Sequence, residues 1–381
     1  MVNTFCRLAL CSAAAAASFG CTDVAEVAAP SISTPGVPTL PSVPGTVRAS
    51  ALPFVWSAGE GIREVPLPDA KFLVPGGKWE ISAKAMAINN KGVIVGCYGW
   101  PSPDSRAFVW SAETGFLDIH PPGDGSTCAT AVNDAGVVAG SANFWGRMGF
   151  VWNAAGSLQF LPLIFGETTV NGINEQGDVV GSAISGATPA DQREYGFVWN
   201  AKSGGHILQS VNGAPLSRAF DINDQGDVVG FDSRRSTAGV TASAAVLWRP
   251  ANAARLGLAA PTSNDCAWQP DNGIQGDCAA AAVAINNAGE IAGTIGGNAF
   301  RRMPDGALLT LHFPDGRLST AVGINAGGDI AGTAMTRDLK TRSAFVWKRN
   351  GQVIELGALP GRNSSDATGM NDHGQVVGFS Q

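Results

Sequence analysis

The chain has 381 residues, 45% of them hydrophobic and only 15% charged, with 49 Gly and 22 Pro. So little charge, against about a quarter in ordinary globular chains, excludes a coiled coil, a long-helix bundle and a disordered tail protein. The formal charge of −6 offers no clustered basic surface for phosphates, so nucleic acid is not an expected partner.

In chain order, residues 1–20 come first, with one charge, Arg7, and an apolar Ala-rich stretch from Leu8 to Phe19. That run is too short to span about 30 Å of hydrocarbon and reads as an export signal. Ser18-Phe19-Gly20-Cys21 resembles a bacterial lipobox, which makes Cys21 the expected lipidation site, with plain secretion as the alternative. Residues 21–50 are rich in Pro between Pro30 and Pro44 and should form an extended spacer. The expected location is outside the cytoplasm, either lipid-anchored to the bacterial envelope, with the lipid as the sole membrane contact, or secreted.

Cys6 and Cys11 leave with the signal and Cys21 takes the lipid, so Cys97, Cys128, Cys266 and Cys278 remain. An even remainder in an exported chain suggests two disulfides. Of the three possible pairings, Cys97 with Cys128 and Cys266 with Cys278 closes the shortest loops. There is no CxxC pair, and His120, His206, His312 and His373 lie far apart, so zinc has little support.

Residues 51–381 are built from repeats. The pattern small-apolar-Asn-x-x-Gly-x-apolar-x-Gly begins around Asn89, Asn133, Asn174, Asn223, Asn286, Asn325 and Asn371. Its mean interval of about 47 residues matches the roughly 40 to 50 of a propeller blade. Interleaved with it are Phe54-Val55-Trp56, Phe108-Val109-Trp110, Phe150-Val151-Trp152, Phe197-Val198-Trp199, Val246-Leu247-Trp248, the degraded Phe300-Arg301-Arg302, and Phe345-Val346-Trp347. Each unit supplies about four short strands, and no segment holds a 3.6-residue period. The folded part starts with an aromatic motif and ends with an Asn motif, half a unit at each end. The expected fold is therefore an all-β, seven-bladed β-propeller closed by pairing of N- and C-terminal half-blades, which removes exposed edges.

Small residues place the Asn hairpin innermost. Asn followed three residues later by Gly fits a tight turn in which Asn bonds its own backbone and Gly takes φ > 0. One end of the blades then collects tight turns. The other collects the long connections, residues 68–82, 97–106, 141–148, 182–195, 231–243, 258–280 and 333–342, and scaffold-borne loops are where function usually resides.

The interleaved Ile-Asn-x-x-Gly-x-Val-x-Gly and Phe-Val-Trp units resemble the HAF family of predicted extracellular bacterial repeat proteins, over nearly all of residues 51–381. The family's His is absent here, its place being held by Arg106, Met148, Tyr195 and Ser343. The resemblance implies an exported repeat protein and brings no catalytic residues.

The repeated Asn residues are read as turn caps, and Asp178, Asp227 and Asp329 as solvated charges. No Gly-x-Ser-x-Gly, HExxH or phosphate loop is present, and no cofactor is expected. The insertion from Asp265 to Cys278 holds Asp265, Asp271 and Asp277, oxygen ligands of the kind Ca²⁺ takes, although a disulfide-closed polar loop is the favoured reading. The aromatics Trp79, Tyr98, Trp100, Trp145 and Trp268 lie in or near long connections, as do Phe144 and Tyr195, and serve either as binding platforms or as lids on the blades. The leading expectation is a monomeric, non-catalytic binding or scaffold protein of the cell surface or periplasm, recognising a glycan or protein through its long-loop end. The alternatives are a carbohydrate-active enzyme with carboxylates in a central funnel and a purely structural envelope component.

Overall fold

The computed structural model describes residues 51–67, 82–100, 105–121, 125–144, 146–155, 158–162, 166–185, 193–210, 216–235, 241–250, 252–256, 267–269, 273–275 and 280–381. All belong to the compact unit Val47–Gln381. Among the described residues every regular element is a strand. The first pair is β1 (Leu52–Ser57) and β2 (Gly61–Glu64). Two quartets follow: β3 (Ser82–Ile88), β4 (Ile94–Trp100), β5 (Arg106–Ser111) and β6 (Gly115–Asp118), then β7 (Ser126–Val132), β8 (Val138–Asn143), β9 (Arg147–Trp152) and β10 (Leu158–Phe160). Two more are β11 (Glu167–Ile173), β12 (Val179–Ser185), β13 (Arg193–Asn200) and β14 (Gly204–Ile207), then β15 (Leu216–Ile222), β16 (Val228–Arg235), β17 (Thr241–Arg249) and β18 (Asn252–Arg255). A short hairpin, β19 (Ala267–Gln269) and β20 (Gly273–Gln275), precedes β21 (Ala280–Ile285), β22 (Ile291–Ile295), β23 (Asn298–Arg302) and β24 (Leu308–Thr310). The series closes with β25 (Leu318–Ile324), β26 (Ile330–Met335), β27 (Arg342–Trp347), β28 (Val353–Glu355), β29 (Ser365–Met370) and β30 (Val376–Ser380).

Each quartet is an antiparallel sheet paired in chain order, and a single parallel bridge between Glu194 and Leu216 joins two of them into one eight-stranded sheet. The remaining four-stranded sheet runs β2-β1-β30-β29, with β1 paired to β30 from Leu52 opposite Ser380 to Trp56 opposite Val376. The first and last strands thus share a sheet. The whole is an all-β, propeller-like succession of antiparallel sheets.

The repeat motif has a backbone cause that the sequence does not announce. In each Asn hairpin one extra residue interrupts the register three positions before the Asn: Met86, Thr130, Asn171, Phe220, Val283, Val322 and Thr368. Such a bulge bends its strand. The carbonyl two residues before it meets the motif's last Gly, where a Cβ would fall on the oxygen: Gly96 on Lys84, Gly140 on Cys128, Gly293 on Ala281, Gly332 on Thr320, Gly378 on Asp366. On the other side the rings of Phe108, Phe150, Phe300, Phe345 and Phe54 come within 2.5 to 3.0 Å of the same Cβ positions. These Phe residues are fully buried, so the bare backbone is a packing surface.

The turn asparagines have two roles. In all seven turns Oδ1 accepts the N–H of the residue four on, for example Val93 at 2.9 Å and Asp329 at 2.8 Å, while the Gly holds φ of 75 to 80°. The amide Nδ2 then donates to the carbonyl of the next Asn, linking Asn89 to Asn133, Asn174, Asn223, Asn286 and Asn325 in turn, and Asn371 to Asn89.

Apolar clusters fill the space between consecutive sheets; one joins Ala284, Ala292 and Leu311 to Ile330, Phe345 and Trp347. Buried hydroxyls fasten the same interfaces. Thr127, Thr168, Ser217, Ser319 and Ser365 accept the N–H of Ala107, Gly149, Gly196, Ala299 and Ala344 at 2.7 to 3.0 Å. Where the aromatic motif degrades, Arg301 is 1% exposed, lies 4.9 Å from the Trp347 ring centroid and donates to the Arg349 carbonyl, beside the Arg349–Glu290 pair at 2.9 Å.

Candidate binding surface at the long-loop end

Antiparallel order puts the Asn turns, and the short turns between third and fourth strands, at one end of the sheets. At this turn end, polar groups answer one another. In six of the seven turns the residue after the Asn donates its N–H to the corresponding side chain of the next sheet: Asn90 to Asp134, Asp134 to Glu175, Glu175 to Asp224, Asp224 to Asn287, Ala326 to Asp372, and Asp372 to Asn90, at 2.7 to 3.0 Å. Asp178, Asp227 and Asp329 are not the solvated charges expected from sequence. Asp178 accepts from Asn174 and Asn200, Asp227 pairs with Arg249, and Asp329 with Lys348, because each faces the hairpin between third and fourth strands.

The long-loop end differs. Cys97 and Cys128 form a disulfide with Cα atoms 4.8 Å apart, and since they lie on β4 and β7 the bond staples two neighbouring sheets. Beside it, Tyr98 is 3% exposed, its ring edge-on to Phe116 at 5.4 Å, and it donates to Asp118 at 2.9 Å. Burial and the Asp118 carboxylate push its hydroxyl pKa up to about 12. Arg106 completes the group, 2.7 Å from Asp118. Of its two readings, platform or lid, Tyr98 is therefore the lid, with no open ring face; alternation along β4 turns it inward. Further out, His120, Phe144 and Phe160 form an aromatic row with centroids 5.9 and 6.0 Å apart, and Phe160 is exposed. Trp79, Trp145, Cys266, Cys278, Asp265, Asp271, Asp277 and Cys21 lie outside the described residues, as do the side chains of Trp100 and Trp268. Among the described residues no group of His, Cys, Asp or Glu is arranged to hold a metal ion.

A pocket of about 140 Å³ opens at the same end, between the β22–β23 turn, the β24–β25 connection and the β26–β27 hairpin. Its walls include Asn298, His312, Phe313, Arg317, Leu318 and Arg337. Each wall has a local cause. Gly296 and Gly297, at φ 54° and 72°, make a two-residue turn that leaves the mouth open. Leu311, nearly buried, anchors the next connection, and a turn closed by the Gly316 N–H on the Phe313 carbonyl returns the chain as Arg317. The Arg317 guanidinium covers Phe313 at 4.6 Å and binds Glu355 at 2.6 Å and Asp315 at 2.7 Å. Its bond to Glu355 holds it above the usual arginine range, and Arg317 in turn holds both carboxyls below theirs.

His312 and Arg337 are exposed and make no hydrogen bond or ion pair with any described residue. Beyond Arg337 the hairpin tip turns on Asp338, which accepts from the Thr336 hydroxyl at 2.6 Å and the Lys340 N–H at 3.2 Å. Leu339 follows at φ 60°, the one non-Gly residue with positive φ among those described, and is 39% exposed. An apolar side chain held outward in this conformation, at about 1 to 2 kcal/mol, is a feature of the kind that clusters at functional sites. From sequence, Arg337 and Leu339 were legible only as members of the connection 333–342, and His312 and Phe313 carried no signal for a site. Both ends of the molecule are rich in polar groups, but Arg337 and His312, side chains without a hydrogen-bond partner among the described residues, stand beside an open pocket at the long-loop end.

No family model matches the chain, and no curated protein matches it. Solved structures that resemble it include Kuenenia stuttgartiensis hydrazine synthase, at 9% identity and a TM-score of 0.46 over 78% of this chain and 47% of that one. Dipeptidyl peptidase 4 of Porphyromonas gingivalis gives 10% and 0.43 over 81% and 51%. The extracellular domain of a hybrid two-component system from B. thetaiotaomicron gives 10% and 0.45 over 77% and 38%. The chain spans about half the length of these structures or less, and likeness at this level transfers nothing to it.

Proposed function

We propose that the chain is a non-catalytic binding protein of the bacterial envelope that recognises a glycan through the long-loop end of a closed, seven-bladed β-propeller, with the HAF-type repeats as its frame. Supporting closure, Asn-to-Asn bonds run from Asn89 to Asn325, another joins Asn371 back to Asn89, and β1 pairs with β30. Supporting seven blades, the eight-stranded sheet is two quartets joined by one bridge. Export, and attachment through a lipid on Cys21, follow from the leader-like residues 1–20.

The observation that carries the binding role is the pocket with its unpartnered His312 and Arg337 beside the strained Leu339. Concave, and lined by Phe313 and Leu318 together with Asn298, His312, Arg317 and Arg337, it brings apolar and polar groups together as a ligand site does. The enzyme reading has one observation in its favour: Asp221, in a position that is Ala or Gly in the other repeats, has its carboxyl pushed up to about 6 by burial. Glycosidic chemistry needs a second carboxylate about 5 to 10 Å away. The test is a glycan array and envelope pull-down with the mature chain. Capture should fall at least tenfold in Arg337→Ala/Leu339→Gly and persist in the turn-end variant Glu175→Ala. Capture lost only through the turn end, or no glycan or envelope component captured at all, would refute the reading.

A further inference from the structure

Resting on the proposed binding role of this end, we infer that the pocket between β22–β23, β24–β25 and β26–β27 takes a carboxylate-bearing sugar unit, a uronic acid residue of an acidic glycan. Charge around the pocket is already sorted. Asp315 and Glu355 are both committed to Arg317, and Asp338 stands 3.6 Å from Lys340. The guanidinium of Arg337 is left as the unneutralised group at the wall, with His312 as a second nitrogen donor.

A guanidinium offers two parallel N–H groups that match the two oxygens of a carboxylate. Leu318 and the part of Phe313 that Arg317 leaves uncovered give the wall an apolar share for the C–H face of a ring. At about 140 Å³ the pocket is smaller than the roughly 300 Å³ that encloses a drug-sized ligand, so it holds one residue of a polymer whose neighbours run across the open mouth. A sugar acid, rather than a peptide terminus, would use both the guanidinium and the apolar part of the wall, and the titration separates the two.

Calorimetric titration of the mature chain with oligogalacturonate, its methyl ester and a neutral galactose oligomer tests the assignment. Oligogalacturonate should bind, with the ester and neutral oligomer at least tenfold weaker. Arg337→Ala should weaken the acidic ligand tenfold or more, Arg337→Lys less, and His312→Ala several-fold, with unchanged thermal midpoints. If neutral and acidic oligomers bind alike, or the array still shows capture at this end and Arg337→Ala leaves it intact, the uronate assignment fails while the binding role stands. Preferential binding of a peptide with a free C-terminal carboxylate would also overturn it. If neither array nor titration shows any ligand, the binding role itself is wrong.

Discussion

Two glycines of the same motif should respond very differently to one added methyl group. Gly332 has an ordinary backbone conformation, but a Cβ there would fall on the Thr320 carbonyl oxygen and lie 2.6 Å from the Phe345 ring. Thr320 and Gly332 sit on paired strands, and Phe345 is fully buried against the preceding sheet, so neither neighbour can withdraw without opening the β25–β26 ladder or the core. Overpacking a core costs about 1 to 3 kcal/mol, and losing one or two ladder bonds about 1 kcal/mol each, so Gly332→Ala should cost about 3 kcal/mol or more. Gly374, in the last Asn turn, has φ 75° and nothing within 4 Å of its Cβ position. Gly374→Ala carries only the left-handed penalty, about 1 to 2 kcal/mol. Equilibrium urea denaturation of both variants reads the difference, and trimming the ring in Gly332→Ala/Phe345→Leu should recover little because the carbonyl remains. Equal losses at the two positions, or full rescue by Phe345→Leu, would refute the close-approach account.

Deleting residues 51–68 removes β1 and β2 and exposes the edge of β30, so the whole unit should unfold or aggregate; a soluble, cooperatively melting truncation, followed by circular dichroism, would contradict closure. Non-reducing peptide mapping should recover a Cys97–Cys128 peptide, and Cys97→Ser/Cys128→Ser should lower stability by about 3 to 4 kcal/mol for a loop of 31 residues. Asp221 has a folded pKa of about 6 against 3.8 for the free side chain, so the folded state binds its proton more readily across that window. Its contribution to stability should therefore grow as pH falls from 7 towards 4, opposite in sign to that of the lowered Asp315 and Glu355 carboxyls, and the stability difference between the native chain and Asp221→Ala should shift in the native chain's favour from pH 7.5 to pH 5 in denaturation curves.

The Asn and Gly positions and the Cys97–Cys128 pairing were legible because each obeys a local rule of turn geometry or loop length. The bulges were not. Met86, Thr130 and Phe220 share no chemistry, and an extra residue in a strand leaves no compositional mark. Nor was the second row of bonds from Asn90 through Asp372, since its partners lie 41 to 63 positions apart, or 282 where it returns to Asn90, and the acceptor is Asn, Asp or Glu by turns. Tyr98 stayed between platform and lid because loop proximity says nothing about which side of β4 it occupies. The pocket escaped because three connections build it, and His312 and Arg337 come together only when two sheets pack.

Ala326 interrupts that second row. It has no acceptor to offer the Asn287 N–H, and it stands between the same two sheets that Arg301, Glu290 and Arg349 join by charge. Ion pairs cross two other seams as well, Arg218 to Glu194 and Arg342 to Asp366. Of the three cations Arg349 is the most exposed, at 56% against 24% for Arg218 and 30% for Arg342, so its pair is the one dissolved ions screen most readily. With no row bond at Ala326 to share the load, brine gives the molecule a preferred place to part, at the turn end of the two sheets that build the pocket.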